Sequence, residues 1–491
     1  MGATRRILLT LLLPFLLLVW WCIPGAVRTA APLDLGQAFY LDWTQDGDDV
    51  GEQLGYAVGT AGDVNGDDYS DIIIGAPTDV YTSDKVGMAY VFYGGAGGLG
   101  NSFDPDWTAA GTKGSFFGGA VGTAGDVNND GHDDVLVGAP KYKNESIGTG
   151  TYGAAFVFYG SNDGLAETPE WSLVGEQRDS DLGIAVGAAG DVNGDTYDDV
   201  IVGASGYSNG EDLGGMIYVF LGASSGLTTT PVFTADGNQT SALFGYSVGM
   251  AGDVNGDTYD DILVGAPGYN ISGTLDAGAV FIFYGATDGI STTYTAIYGD
   301  QSNARYGHAV STAGDVNGDG YDDILVGAPL YDTETLDSAG AAFVYLGSAT
   351  GVITTPHRQL YGDGVGAQFG AAVGAVGYAN EDGYADVIIG APHATYDQDD
   401  EGAAFVYLGS SSGLSTSYVW RGEGNKNEPG YGSAAGSAGN VDGDDFVDVI
   451  VGAPDYKTET EPRGRALIYL GTGEDTITYY IYLPLVLRNS F

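Results

Sequence analysis

Asp253–Asp261 reads DVNGDTYDD, and the same nine letters stand at Asp191–Asp199. Near-copies occupy 63–71 (DVNGDDYSD), 126–134 (DVNNDGHDD) and 315–323 (DVNGDGYDD). Looser versions follow at 378–386 (YANEDGYAD) and 440–448 (NVDGDDFVD). The turns begin at 63, 126, 191, 253, 315, 378 and 440, a nearly constant period. Such self-similarity marks a chain built of one repeated supersecondary unit.

Around each turn the rest of the unit falls into register. An apolar segment with Gly second precedes it: LGYAV (54–58), FGGAV (117–121), LGIAV (182–186), FGYSV (244–248), YGHAV (306–310), FGAAV (369–373) and YGSAA (431–435). A run of the IIIGAP type follows: 72–77, 135–140, 200–205, 262–267, 324–329, 387–392 and 449–454. A variable loop leads to a third apolar segment, such as YVFYG (90–94) or FIFYG (281–285), and a fourth carries PDW (105–107), PEW (169–171), PVF (231–233) or SYVW (417–420). Seven units of four short strands, rich in β-branched and aromatic residues, predict an all-β fold, a seven-bladed β-propeller with one four-stranded sheet per blade. A solenoid would show polar end repeats, whereas the last unit here resembles the first. AFYLDW (38–43) resembles a fourth strand but precedes the first unit, so an N-terminal strand is expected to close the ring. TITYYIYLPLVL (476–487) competes for that place and is assigned to a tail.

The 491 residues carry 65 Asp+Glu against 16 Lys+Arg, a formal charge of −49. So acidic a surface excludes nucleic acid and anionic membrane as partners and favours divalent cations or basic ligands. Residues 1–31 have two arginines, an apolar run from Ile7 to Ile23 and small residues after it, the order of a secretory signal peptide, with an uncleaved anchor as the alternative. They also hold Cys22, the single cysteine, so the remainder can form no disulfide within itself. The expected organisation is a signal at 1–31, a propeller at 32–472 and a tail at 473–491, in a secreted or cell-surface protein.

Calcium takes six to eight hard oxygens. The nine-residue turn offers side-chain oxygens at positions one, three, five and nine, and a backbone carbonyl at position seven. The candidate ligands are Asp63, Asn65, Asp67, Tyr69 and Asp71; Asp126, Asn128, Asp130, His132 and Asp134; Asp191, Asn193, Asp195, Tyr197 and Asp199. They continue with Asp253, Asn255, Asp257, Tyr259 and Asp261, and with Asp315, Asn317, Asp319, Tyr321 and Asp323. In the last unit they are Asn440, Asp442, Asp444, Phe446 and Asp448. The sixth turn has Tyr378 where the first carboxylate should be and is not expected to hold an ion. About five to seven calcium ions are expected in all, seven only if the sixth turn binds as well. An EF-hand would need Glu at position twelve, where Ile74, Val137, Val202, Val264 and Val326 stand.

These motifs resemble the FG-GAP repeats of the integrin α-subunit head, in a free-standing form of bacterial type. The resemblance implies calcium in the matching loops, all on one face, and a ligand-binding face opposite. Pairing with an integrin-type β-subunit is not expected, because leg, membrane and cytoplasmic segments are not recognisable. A tyrosine follows each GAP step: Tyr81, Tyr142, Tyr207, Tyr269, Tyr331, Tyr396 and Tyr456. These are candidates for a ring on the ligand face, or for a repeated packing position. No nucleophile or acid–base motif stands out. The expected function is a calcium-binding ligand-binding or adhesion module for an extracellular protein or glycan, not an enzyme. A polysaccharide-active propeller and a structural surface protein are the alternatives.

Overall fold

The strand after each turn is closed to water along its whole length. All six residues of Asp71–Ala76 are buried, and the same holds for Asp134–Ala139, Asp199–Ala204, Asp261–Ala266, Asp323–Ala328, Asp386–Ala391 and Asp448–Ala453. A strand apolar on both faces needs a second sheet against each face. A ring of sheets supplies both. The computed structural model describes residues 38–472 apart from 49, 78–85, 100–103, 145, 272–273, 397–399, 425–428, 445 and 459–460. It consists of seven antiparallel four-stranded sheets.

Blades are numbered from the unit that begins at Ala57. In blade 4 the strands run in order Ser247–Gly252, Asp261–Ala266, Ala279–Ala286 and Gly289–Tyr298. The first strands of successive blades neighbour one another round the ring, and that of blade 7, Ala434–Gly439, returns to that of blade 1, Ala57–Gly62. Each blade-to-blade interface has its own apolar cluster. Between blades 3 and 4, Ile201 and Val219 face Ile262, Val264 and Phe281. The closing interface is built alike, with Ile72, Ile74 and Phe92 against Ile450, Ile468 and Leu470.

Closure uses the N-terminal strand, as expected. Phe39–Asp46 pairs antiparallel with Arg465–Gly471 and completes blade 7. Arg465 fastens it, its Nε 2.5 Å from Asp46 Oδ1 and its guanidinium 3.7 Å above the Tyr456 ring. The proposed signal at 1–31 and tail at 473–491 lie outside the described residues.

The two recurring glycines are one contact seen from both sides. A Cβ on Gly265, the glycine of the GAP step, would lie 2.1 Å from the carbonyl oxygen of Gly307 in the next blade. Gly307 has φ of 81° and donates its N–H to Gly327 O at 3.0 Å. The closing seam repeats this, with Gly452 against the carbonyl of Gly55. Only glycine meets both demands, positive φ and backbone approach.

Candidate metal centres

Each acidic loop leaves its inner strand through a bulge. In blade 4 the register slips between Met250 and Gly252, and Gly252 has φ of 75°. The loop then winds on its first side chain. Asp253 Oδ1 accepts the N–H groups of Gly256 (2.7 Å) and Asp257 (3.0 Å), and Oδ2 that of Thr258 (2.8 Å). Positions four and six take left-handed backbone, with φ of 75° at Gly256 and 76° at Thr258. Asp257 Oδ1 accepts the Tyr259 N–H at 3.1 Å. Asp63, Asp191 and Asp315 wind their loops in the same way, and Asp126 accepts from Asp130 and Gly131.

Position nine is the anchor in all seven loops. Asp261 Oδ2 accepts the Val254 N–H at 3.2 Å, and Oδ1 accepts that of Gly285, beyond the third strand, at 2.8 Å. Asp71, Asp134, Asp199, Asp323, Asp386 and Asp448 make the same two kinds of bond. All seven side chains are in fully buried residues. Burial, foremost, pushes the Asp261 carboxyl up to about 8; the backbone donors pull it down and Asp257 and Asp253 push it further. Asp71 is pushed to about 7 and Asp199 to about 8 for the same reason. Such carboxylates lack a countercharge, which a cation would supply.

A second observation concerns position three. The Oδ1 atoms of Asn65, Asn193 and Asn317 are buried and accept no hydrogen bond. A buried acceptor left unpaired costs roughly 1–3 kcal/mol, so three such oxygens at equivalent positions mark places for a ligand. Among the described residues no three carboxylates or imidazoles converge on one point. An ion here would rest on a mixed set of carboxylate, amide and backbone oxygens, the hard-donor chemistry calcium takes. By this test loops one, three and five fit the group, and loops two and four carry the same residue types at positions one, three, five and nine.

Loops six and seven are wound differently. Tyr378 is 52 % exposed and only its carbonyl takes a loop N–H, that of Glu381 at 3.3 Å, while Asn380 Nδ2 donates to Asp382 Oδ2 at 3.1 Å as Asn317 does to Asp319 in loop five. Asp386 nonetheless keeps its anchor bonds to Ala379 and Gly409. In loop seven Asn440 Oδ1 accepts one N–H, from Gly443 at 2.7 Å, and Asp444 accepts that of Phe446.

Position eight escaped the sequence reading. Asp260 Oδ2 accepts the N–H of Asp191, in the blade before it, at 2.9 Å, and the Asp260 N–H returns to Asp191 O at 3.1 Å. Asp133, Asp198 and Asp322 do the same for Asp63, Asp126 and Asp253. Burial lifts Asp260 to about 6. Position-seven side chains also cross the seam: His132 lies over Gly66, and Tyr259, Tyr321 and Tyr384 over Gly194, Gly256 and Gly318. His132 Nδ1 sits 3.1 Å from Asp130 Oδ1, and His308 is in a packed environment beside Tyr246.

The tyrosines after the GAP steps do not make an exposed ring. Tyr142, Tyr207, Tyr269, Tyr331 and Tyr396 are half-buried and Tyr456 is buried, while Tyr81 lies outside the described residues. Tyr142, Tyr269 and Tyr331 stand edge-on to Phe156, Phe281 and Phe343 of their own blades. Those three contacts fit a repeated packing position. Exposed aromatics stand elsewhere, among them Tyr294, Tyr298 and Tyr361 on outer strands, of which Tyr298 pairs with Tyr269 and Tyr361 with Tyr331.

Comparison with known proteins gives the same picture. The FG-GAP repeat family matches residues 54–92, 117–158, 183–220, 244–283 and 306–345, which lie in blades 1 to 5. Integrin alpha-5 of Xenopus laevis is 33 % identical over 246 residues, covering 48 % of this chain and 22 % of that protein. Integrin alpha-8 of Gallus gallus is 35 % identical over 253 residues, covering 50 % and 22 %. Integrin alpha-PS2 of Drosophila melanogaster is 37 % identical over 189 residues, covering 37 % and 13 %. The match thus spans less than a quarter of the length of these relatives.

Proposed function

This chain is an FG-GAP repeat β-propeller similar to the integrin α-subunit head, and we propose that it is a calcium-braced ligand-binding or adhesion module acting outside the cell. The observation that carries the metal part is the set of unpaired, buried amide oxygens of Asn65, Asn193 and Asn317, each in a loop between two carboxylates. Bound calcium would hold the neighbouring carboxylates ionised and tie each loop across itself. The residues that would hold it are those at positions one, three, five and nine of loops one to five, with the position-seven carbonyl. Asn440, Asp442, Asp444 and Asp448 would form the same set in loop seven.

The chain's own part is to present rigid loops. Position nine ties each loop to the exit of the third strand, and the glycine seam fixes one blade against the next. The face opposite the metal loops is then a stable platform from which the variable connections project, the usual place for recognition on a rigid scaffold. What supports an extracellular protein or glycan as the ligand is the likeness to integrin α chains together with the strongly acidic composition. A screen of the full chain against matrix proteins and glycans, in calcium and in chelator, tests it. Calcium-dependent binding to a defined component is expected. Retention of nothing in either condition would contradict a binding module, and turnover of a glycan would favour the enzyme instead.

A further inference from the structure

The position-eight carboxylates are not part of the ligand set, and nothing in the resemblance assigns them a role. Four of them reach across a blade seam in the same way. Asp133, Asp198, Asp260 and Asp322 each take the position-one N–H of the preceding loop on Oδ2, at 2.8 to 3.0 Å. Each also returns its own N–H to the carbonyl of that residue. The fold keeps a niche for this. A Cβ on the bulge glycine Gly190 would lie 2.3 Å from Asp260 Oδ2, and on Gly252 it would lie 2.2 Å from Asp322 Oδ2. Glycine at the bulge is therefore needed for the neighbour's carboxylate as well as for the backbone turn.

The residue held is the one on which the preceding loop is wound. The residue doing the holding is covalently next to the anchor of its own loop. One peptide unit thus joins the first candidate ligand of one loop to the last of the next. From this we infer that Asp133, Asp198, Asp260 and Asp322 are positioning residues that couple each metal loop to the loop of the blade before it. The inference rests on the calcium reading given above. Ordering one loop around an ion fixes its position-eight side chain, and that fixes the first ligand of the neighbour before its own ion arrives. Prepaid ordering of this kind makes binding cooperative along the run of clasps. Partners behind the ligands of a metal commonly account for ten- to a hundredfold in affinity.

The clasp is interrupted in one sector, which gives it an internal control. Position eight of loop six is Ala385, whose N–H still reaches Asp315 O at 3.0 Å, but no side chain takes the Asp315 N–H from that side. The niche is present, since Gly314 faces the Ala385 Cβ. Among the described residues neither bond joins Val447 of loop seven to Tyr378. At the closing seam Ser70 substitutes, its Oγ accepting the Asn440 N–H at 3.1 Å. The carboxylate clasps therefore join loops one to five, Ser70 carries the run on to loop seven, and it is broken on both sides of loop six, where position eight is Ala385 or Val447.

The test is hydrogen exchange of the full chain over a range of free calcium, read by mass spectrometry on peptides that separate the loops. Asp260→Ala copies the natural arrangement at Ala385, which the fold accepts, and Ala385→Asp installs the missing clasp. Expected is a rise of roughly tenfold in the calcium midpoint of loop three (191–199) for Asp260→Ala. Ala385→Asp should lower the midpoint of loop five (315–323). Midpoints of both loops within about twofold of the unmodified protein would overturn the coupling. So would an equal shift of every loop in Asp260→Ala, which would mean general loosening. Should Asp260→Ala fail to fold, the loop-five midpoint of Ala385→Asp decides alone. Exchange that ignores calcium in the unmodified protein would instead overturn the metal reading, and the coupling with it.

Discussion

Asp253–Asp261 and Tyr378–Asp386 occupy the same place in blades 4 and 6. Each follows a bulge at glycine, Gly252 or Gly377, and each ends on a buried aspartate bonded to two backbone N–H groups. The strand that follows is fully buried in both. The difference lies between those fixed points. Loop four is wound by Asp253, whereas Tyr378 points to solvent and Asn380 bonds to Asp382. The blade is built without the first carboxylate. Its second strand, its glycine seam and its anchor survive the loss of the first carboxylate, so the anchor's backbone bonds serve the fold whether or not position nine also meets an ion.

The largest effect that sharpens this comparison is removal of all calcium. An ion that binds only the folded state at a hundred times its Kd adds about 2.7 kcal/mol. Five or more such ions should make the melting temperature fall steeply in chelator, and hydrogen exchange should rise in loops one to five before loop six changes at all. A melting curve that ignores chelator would break the comparison. Next comes Asp253→Ala with Asp257→Ala. One ion should be lost and stability in calcium should fall by about 2–4 kcal/mol, partly through unmade backbone bonds. The matched change in loop six, Asn380→Ala with Asp382→Ala, should leave the ion count untouched. Native mass spectrometry counts both. Loss of an ion from the second variant would show that the sixth loop binds after all.

Much of this was legible in the sequence because it is periodic and local. Runs such as DILVGA announce strands buried on two faces, and an oxygen at every second residue of the turn announces a curled acidic loop. The closing strand was legible too, since Phe39–Asp46 carries the pattern of a fourth strand. What was not legible depends on the neighbouring blade. Asp260 looks like one more solvent-facing acid beside Asp261, and its partner Asp191 is 69 positions away. The pairing of Gly265 with Gly307 is hidden for the same reason. The tyrosines after the GAP steps recur so regularly that either role was open. Tyr142, Tyr269 and Tyr331 stand edge-on to third-strand phenylalanines, as packing would have them, and the exposed Tyr298 and Tyr361 beside two of them interrupt no period a reader would notice.

Two smaller effects test the division of labour between the faces. Tyr378→Asp restores the winding residue of loop six, and in calcium it should add one ion and about 1–2 kcal/mol, with no gain in chelator. Stabilisation in chelator alone would argue against a metal role for position one. His308 lies at the other end of the blade-5 inner strand, where burial foremost, with Arg305 nearby, lowers its pKa to about 4 from the usual 6.5. The unfolded chain therefore binds this proton first. Stability from a neutral His308 is full above about pH 6.5 and is lost as pH falls toward 4, by no more than about 3 kcal/mol. Denaturant unfolding of His308→Phe beside the parent should show a flatter acid limb whether or not calcium is present. An acid limb unchanged by the substitution would contradict a buried, neutral His308 as its source.

The most direct measurement is the number of calcium ions held by the folded chain, counted by native mass spectrometry after exchange into calcium and again after chelation. Five or six ions, with occupancy in loops one to five and none in loop six, is the expected result. A folded propeller that retains none at millimolar calcium would contradict the reading of its acidic loops as metal centres.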